Sequence, residues 1–257
     1  MANPILNRKN FEQESAYVET MSFAGSEPMT INGTIQAASF IALIMLASAI
    51  FAWTRFTLGY TDMVERLVFA GAIGGLILGL IISFCRFSPQ LTKVKYLIPF
   101  YAVCEGFLLG GFSAYAESAY PGIVSNAIAG TFAALFSMLI LYRMRIISCT
   151  QKFRSIILIA TISIAGVYLV DLIGHFFGHS VPVIYSTSPL GLLVSAVIVV
   201  VAALNLIIDF EYIEQAVERN FPKEHEWYGA FGLMVTLVWL YLEILRLLIK
   251  IQKSRGE

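Results

Sequence analysis

The chain has 257 residues, of which 58 % are hydrophobic and only 13 % are charged. A water-soluble domain typically carries about 25 % charged residues, so a soluble core is excluded. There are 17 basic and 17 acidic residues, and the resulting net charge of zero argues against nucleic acid as a partner. The composition instead predicts that the lipid bilayer is the main partner.

Successive apolar stretches, each of about twenty residues, run along the chain and are separated by turn and charge signals. Each stretch is long enough to cross roughly 30 Å of hydrocarbon as a helix. The predicted spans are 33–53, 65–85, 96–116, 121–142, 153–177, 189–209 and 230–250. The sequence therefore predicts an all-α polytopic membrane protein, a seven-transmembrane-helix bundle. Its membrane domain is 33–250, preceded by a polar tail at 1–32 and followed by a short basic tail at 251–257.

The distribution of basic residues predicts the orientation, because Lys and Arg favour cytoplasmic loops. One side of the bundle carries most of them: Arg8, Lys9, Arg86, Lys93, Lys95, Arg143, Arg145, Lys152, Arg154, Arg219 and Lys223. The opposite loops carry only Arg55 and Arg66. We therefore expect the N-terminal tail to be cytoplasmic.

The C-terminal tail does not follow this distribution. Seven crossings place it outside, yet this end of the chain carries Arg246, Lys250, Lys253 and Arg255. Either the last segment re-enters the membrane without crossing, or the other loops decide the orientation. The length of 230–250 favours a full crossing.

Glycines recur every four residues at Gly71, Gly75 and Gly79 in the second span and at Gly106 and Gly110 in the third. Such faces allow the backbones of neighbouring helices to approach closely. We interpret them as packing surfaces rather than as gating hinges.

Carboxylates inside apolar spans are costly in hydrocarbon and are therefore candidates for function. Asp209 ends the sixth span on the cytoplasmic side, and Asp171 lies near the outer end of the fifth. Glu105 and Glu243 lie about 14 Å and 20 Å into their spans, near the middle of the bilayer. Such a series of oxygens can replace the water shell of a cation, and Ca²⁺ prefers carboxylate ligands. The pattern predicts a path for Ca²⁺ or H⁺, with Ca²⁺ as the transported ion and no resident cofactor.

Each acid also has a structural interpretation. Arg246 follows Glu243 by three residues and could neutralise it. Asp209 could be an interfacial carboxylate in water, and Glu105 could be a protonated structural acid. These alternatives stay open at the level of sequence.

His175 and His179 follow Asp171 by four and eight residues, on one face of a helix. Asp, His and His at this spacing could hold zinc in an intramembrane hydrolase. However, Gly178 interrupts the segment and no fourth ligand is evident, so no metal site is expected. The sequence also contains no phosphate-binding glycine loop and no nucleophile elbow, and we expect no enzyme.

Several segments resemble the Bax inhibitor family of membrane proteins. The segment 204–215 (LNLIIDFEYIEQ) resembles its sixth-helix motif, with the motif aspartate at Asp209. The segment 237–248 (LVWLYLEILRLL) is similar to the bacterial branch of that family. The segments 3–7, 105–106 and 120–124 fit the same branch.

The resemblance implies a bundle in the bacterial cytoplasmic (inner) membrane with a pH-sensitive calcium leak. In the relatives, two aspartates on the last two main helices share a proton or pair with an arginine. Two adjacent carboxylates cannot both ionise cheaply, so such a pair senses pH. Asp209 matches the first aspartate and Arg86 the arginine. Aligning the last helix on Arg246 places Thr236 at the second aspartate, and Glu243 lies two turns further on, so we expect an altered sensor.

These observations predict a leak for Ca²⁺ or other cations. One alternative is a non-conducting membrane regulator that binds membrane proteases or other membrane proteins. A second alternative is the zinc-dependent intramembrane hydrolase.

Overall fold

Each apolar span forms one long α-helix in a computed structural model of the chain, which describes residues 27–85, 91–178 and 186–256. The helices are α1 (Ile31–Thr57), α2 (Thr61–Cys85), α3 (Leu91–Ala119), α4 (Ile123–Arg143), α5 (Gln151–Phe176), α6 (Pro189–Glu218) and α7 (His225–Gly256). A helix satisfies its own backbone hydrogen bonds, as hydrocarbon requires. No strand occurs in the described ranges, and the predicted all-α seven-helix fold is confirmed.

All seven helices are long and apolar enough to cross a membrane, so this is a multipass membrane protein. The last helix, α7, has 32 residues and extends about 48 Å without a break. It is therefore long enough for the full crossing that the sequence favours. Helix α6 continues to Glu218, nine residues beyond the predicted end of its span at Asp209. The extension is polar, with Glu211, Glu214 and Gln215, and a helix can continue in this way into water.

Local capping fixes where the helices begin. Thr30 caps α1 by accepting a hydrogen bond from the backbone N–H of Gly33. Ser188 caps α6 in the same way, and Pro189 occupies the first helical position, where no backbone N–H is needed. Gly122 has a φ of 85° in the tight turn that joins α3 to α4.

Helix α7 lies at the centre of the bundle and packs against α1, α3, α4 and α6. One apolar cluster joins α1, α3 and α7 through residues such as Ile98 and Phe231. A second joins α4, α6 and α7 through residues such as Leu206 and Leu240. Outward faces carry exposed apolar side chains, for example Phe69 at 68 % exposure, which suits contact with lipid.

The glycine faces are packing surfaces, as the sequence predicts. A Cβ atom built on Gly71 would lie 2.5 Å from the carbonyl oxygen of Cys104 on α3. Cβ atoms on Gly106 and Gly110 would overlap α1, at Ser48 and Ala49 respectively. These contacts bring the backbones of α1, α2 and α3 close together.

The segment before α1 is hydrogen-bonded to the loop between α6 and α7. The Met29 N–H donates to the Phe221 carbonyl over 2.7 Å, and the Lys223 N–H donates to the Glu27 carbonyl over 3.0 Å. Glu226 is buried beside this contact and accepts hydrogen bonds from the Thr30 N–H (3.0 Å) and the Thr30 hydroxyl (2.9 Å). The start of the first helix and the start of the last are thereby held at the same end of the bundle.

Candidate functional site

Asp209 lies on the face of α6 that packs against α7. A Cβ atom on Gly232 would be 3.7 Å from Asp209 Oδ1, and the Thr236 hydroxyl lies within hydrogen-bonding reach of the carboxylate. Asp209 Oδ2 is inaccessible to solvent and has no hydrogen-bond partner among the described residues. Within the described residues, Oδ2 is therefore a buried carboxylate oxygen that no donor contacts.

Thr236 is the position that the sequence alignment assigns to the second aspartate, and α7 does bring it to Asp209. Its hydroxyl also donates to the Gly232 carbonyl over 3.2 Å within α7. The predicted arginine partner, Arg86, lies outside the described residues, and its pairing with Asp209 stays a prediction.

Glu243, in contrast, has its hydrogen-bonding capacity filled. It is 1 % exposed, and its Oε1 accepts from Arg246 (2.9 Å), the Tyr168 hydroxyl (2.8 Å) and Trp239 Nε1 (3.2 Å). Arg246 also donates to Oε2 over 3.1 Å and to the Tyr168 oxygen over 2.6 Å. This geometry corresponds to the neutralisation of Glu243 by Arg246 that the sequence left open, with α5 contributing Tyr168.

Glu105 is buried where α3 crosses the glycine face of α2. A Cβ atom on Gly75 would lie 2.7 Å from Glu105 Oε1, and the Tyr101 hydroxyl, one turn earlier on α3, interacts with the carboxylate. Asp171 is buried near the end of α5. The side chains of His175 and His179 lie outside the described part of the chain, so the zinc hypothesis stays a prediction.

The acids therefore do not form one site. Asp209 meets Thr236, whereas Glu243 belongs to a separate cluster about 10 Å further along α7. Glu105 lies against α2 instead. The residues that the structure brings together around an unfilled carboxylate are Asp209, Thr236 and the backbone of Gly232.

Two side chains around the Glu243 cluster were missed by sequence reasoning. Tyr168 gives no sequence signal, because it reaches Glu243 only through packing of α5. The sequence groups Lys250 with the basic residues of the C-terminal end, yet Lys250 is buried and donates to Ser195 (2.7 Å) and to the Gly191 carbonyl (3.4 Å). Its spacing from Glu243 and Arg246, seven and four residues, could have indicated one polar face of α7.

The sequence was compared with protein families and with known proteins. A family model described as "Bax inhibitor 1 like" matches residues 3–253, nearly the whole chain. Comparison with curated proteins found no match, and comparison with solved structures found none either.

Proposed function

The chain belongs to the Bax inhibitor 1-like family, and from this membership and the buried Asp209 carboxylate we propose that it conducts Ca²⁺ or other cations down their gradient across a bacterial cytoplasmic membrane. Asp209 is the proposed pH-responsive ligand on the ion path. In this proposal the ion path runs through the single helical bundle, with no resident cofactor and no enzymatic step.

The observation that carries the proposal is the unfilled oxygen of Asp209. A charged carboxylate in a region poor in water needs opposite charge or hydrogen-bond donors. Thr236 can serve one oxygen, and Oδ2 has no partner among the described residues. Asp209 can therefore take up either a proton or a passing cation, which is the chemistry that a pH-sensitive cation path needs.

The other acids take different roles in this proposal. The Glu243 oxygens are occupied by donors from three side chains, so Glu243 joins α5 to α7 instead of binding an ion. Glu105 is the second candidate along the path, because it is buried and its carboxylate lies directly against the backbone of α2 at Gly75.

The test is flux of Ca²⁺ into liposomes that contain the purified protein. We expect flux above that of empty vesicles and a change in flux between acidic and neutral pH. Glu65→Gln is a matched control, because Glu65 is an exposed acid at the start of α2, away from Asp209. Absence of flux at every pH would overturn the proposal and favour a non-conducting regulator, which a pull-down of membrane proteases from detergent would then examine.

A further inference from the structure

A groove of about 1250 Å³ opens between the first turns of α1 and the last turns of α4. Its walls are apolar, and Ile35, Phe132 and Phe136 each expose about half of their surface. Its floor is formed by α6 and α7, including Met234 and Leu237. An acyl chain fits such a surface, because the groove continues the outward apolar face of the bundle.

The end of the groove at the start of α1 is polar and carries both signs of charge. Arg143 and Arg145 lie at the rim beside Glu211, Glu214 and Glu218. No ion pair of these two arginines occurs within the described ranges. A guanidinium matches the oxygen geometry of a phosphate, so this rim can hold a phosphodiester.

The described protein groups offer few hydrogen-bond donors to the acids at the rim, of which Glu214 is exposed. The Tyr142 hydroxyl contacts both Glu211 Oε2 (2.9 Å) and Glu214 Oε2, although a hydroxyl has one proton to donate. Gln215 donates to Glu211 Oε1 over 2.5 Å, so among the described residues Glu214 shares the Tyr142 proton with Glu211. A primary ammonium group brings three N–H donors and a positive charge to this position.

From these contacts we propose that the groove binds a phospholipid with a zwitterionic, primary-amine headgroup, of the phosphatidylethanolamine class. The acyl chain lies along α1 and α4, the phosphate lies at Arg143 and Arg145, and the ammonium lies at Glu211 and Glu214. A choline headgroup has no N–H to donate. An anionic headgroup without an amine is disfavoured by the three glutamates at the rim.

Native mass spectrometry of the delipidated protein in detergent tests this site without any measurement of flux. The probes are dioleoyl phosphatidylethanolamine, phosphatidylcholine and phosphatidylglycerol, which share their acyl chains. A choline headgroup cannot donate an N–H to the glutamates, so we expect the ethanolamine lipid to bind about tenfold more tightly than the choline lipid.

Glu214→Gln should remove this selectivity, and because Glu214 is exposed the variant should fold. Leu139→Trp should weaken all three lipids by filling the apolar part of the groove. Glu65→Gln, an exposed acid outside the groove, should keep the selectivity of the parent. Equal binding of the ethanolamine and choline lipids, or unchanged selectivity in Glu214→Gln, would overturn the proposal. A co-purifying polypeptide in the groove that none of the lipids displaces would also count against it.

Discussion

The hydroxyl of Thr236 lies between two acceptors, the Gly232 carbonyl at 3.2 Å and the Asp209 carboxylate. One hydroxyl proton cannot serve both. When Asp209 is protonated, it can donate to the Thr236 oxygen while Thr236 donates to Gly232. When Asp209 is charged, the carboxylate is the stronger acceptor, and we expect the Thr236 proton to turn from Gly232 to Asp209. We therefore expect the Thr236 hydroxyl to change its hydrogen-bond partner when Asp209 gains or loses a proton.

Replacement of Thr236 by Val keeps the shape of the side chain and removes the hydroxyl. The charged form of Asp209 then loses a donor, so more alkaline conditions are needed to remove its proton. A hydrogen bond to a charged group contributes about 1.5–3 kcal/mol, so the pH of half-maximal flux should rise by about one to two units. A pH series of Ca²⁺ flux in liposomes measures this shift.

Thr236→Ser is the matched control, since it keeps the hydroxyl, and it should retain the midpoint of the parent. If Thr236→Val and Thr236→Ser had the same midpoint, the hydroxyl would have no part in pH sensing.

Asp209→Asn removes the titrating group and keeps a side chain of the same size. The amide carries no charge at any pH in the physiological range, so flux should become independent of pH. The measurement is the ratio of flux at acidic and neutral pH, compared with the Glu65→Gln control. If Asp209→Asn kept the full pH profile of the parent, Asp209 would not be the pH sensor, and Glu105 or another acid would be the candidate.

The helices and the Asp209 motif could be predicted from sequence because their signals are local. A run of twenty apolar residues predicts a span without knowledge of its neighbours. The resemblance also singles out Thr236 on α7, and the structure brings Thr236 to Asp209 on α6. Tyr168 could not be predicted in this way, because its contact with Glu243 depends on how α5 lies against α7.

The partners of the intramembrane acids were equally hard to predict from sequence. Depth along a helix follows from residue number, but the direction of a side chain depends on packing around the helix axis. Glu243 and Asp209 therefore occupy different surroundings. Glu243 contacts three donor side chains, whereas one Asp209 oxygen has no donor among the residues that the structure describes. The sequence predicts how deep each acid lies in the membrane, but it does not predict which side chains contact each acid.

The Glu243–Arg246 pair should contribute to stability more than to ion passage. Glu243→Gln leaves Arg246 without its counter-charge, and because the Arg246 side chain is 35 % exposed we expect a loss of about 2–3 kcal/mol. Replacing both residues by Leu leaves no uncompensated charge and should be less destabilising than Glu243→Gln. Denaturant unfolding in detergent measures both variants. Equal losses would show that the uncompensated charge of Arg246 is not the cause of the destabilisation.

Gly110 and Gly166 provide a test of close helix packing. A methyl group at Gly110 would overlap the backbone of Ala49 on α1, whereas nothing lies within 4 Å of a Cβ atom at Gly166. Gly110→Ala should therefore cost about 1–3 kcal/mol through overpacking. Gly166→Ala should stabilise by up to about 1 kcal/mol, because Ala favours the helix. Thermal unfolding in detergent measures the stability of both variants. Equal changes in stability would show that close packing at Gly110 does not matter.

Two acids, Glu27 and Glu226, could hold the segment before α1 against the loop between α6 and α7, and substituting each of them separately shows which one does. Glu27 is exposed, and the hydrogen bond and positive charge of Lys223 hold the pKa of Glu27 below its ordinary value. The contribution of this pair is present above the ordinary pKa of glutamate and is lost as pH falls through the lowered one. Because both side chains are solvated, Glu27→Gln should leave the thermal midpoint at neutral pH unchanged.

Glu226 is buried and accepts both the N–H and the hydroxyl of Thr30 at the start of α1, where a negative charge is favoured by the helix dipole. Glu226→Gln removes that charge and offers an amide group to the same donors, so the segment should detach more often. Hydrogen exchange at the Met29 N–H, which donates to Phe221, measures this opening. Exchange should be faster in Glu226→Gln than in the parent by about fivefold or more, since a charged hydrogen bond contributes at least about 1 kcal/mol. Glu27→Gln should exchange at the rate of the parent, and equal protection of Met29 in both variants would show that Glu226 does not hold the segment.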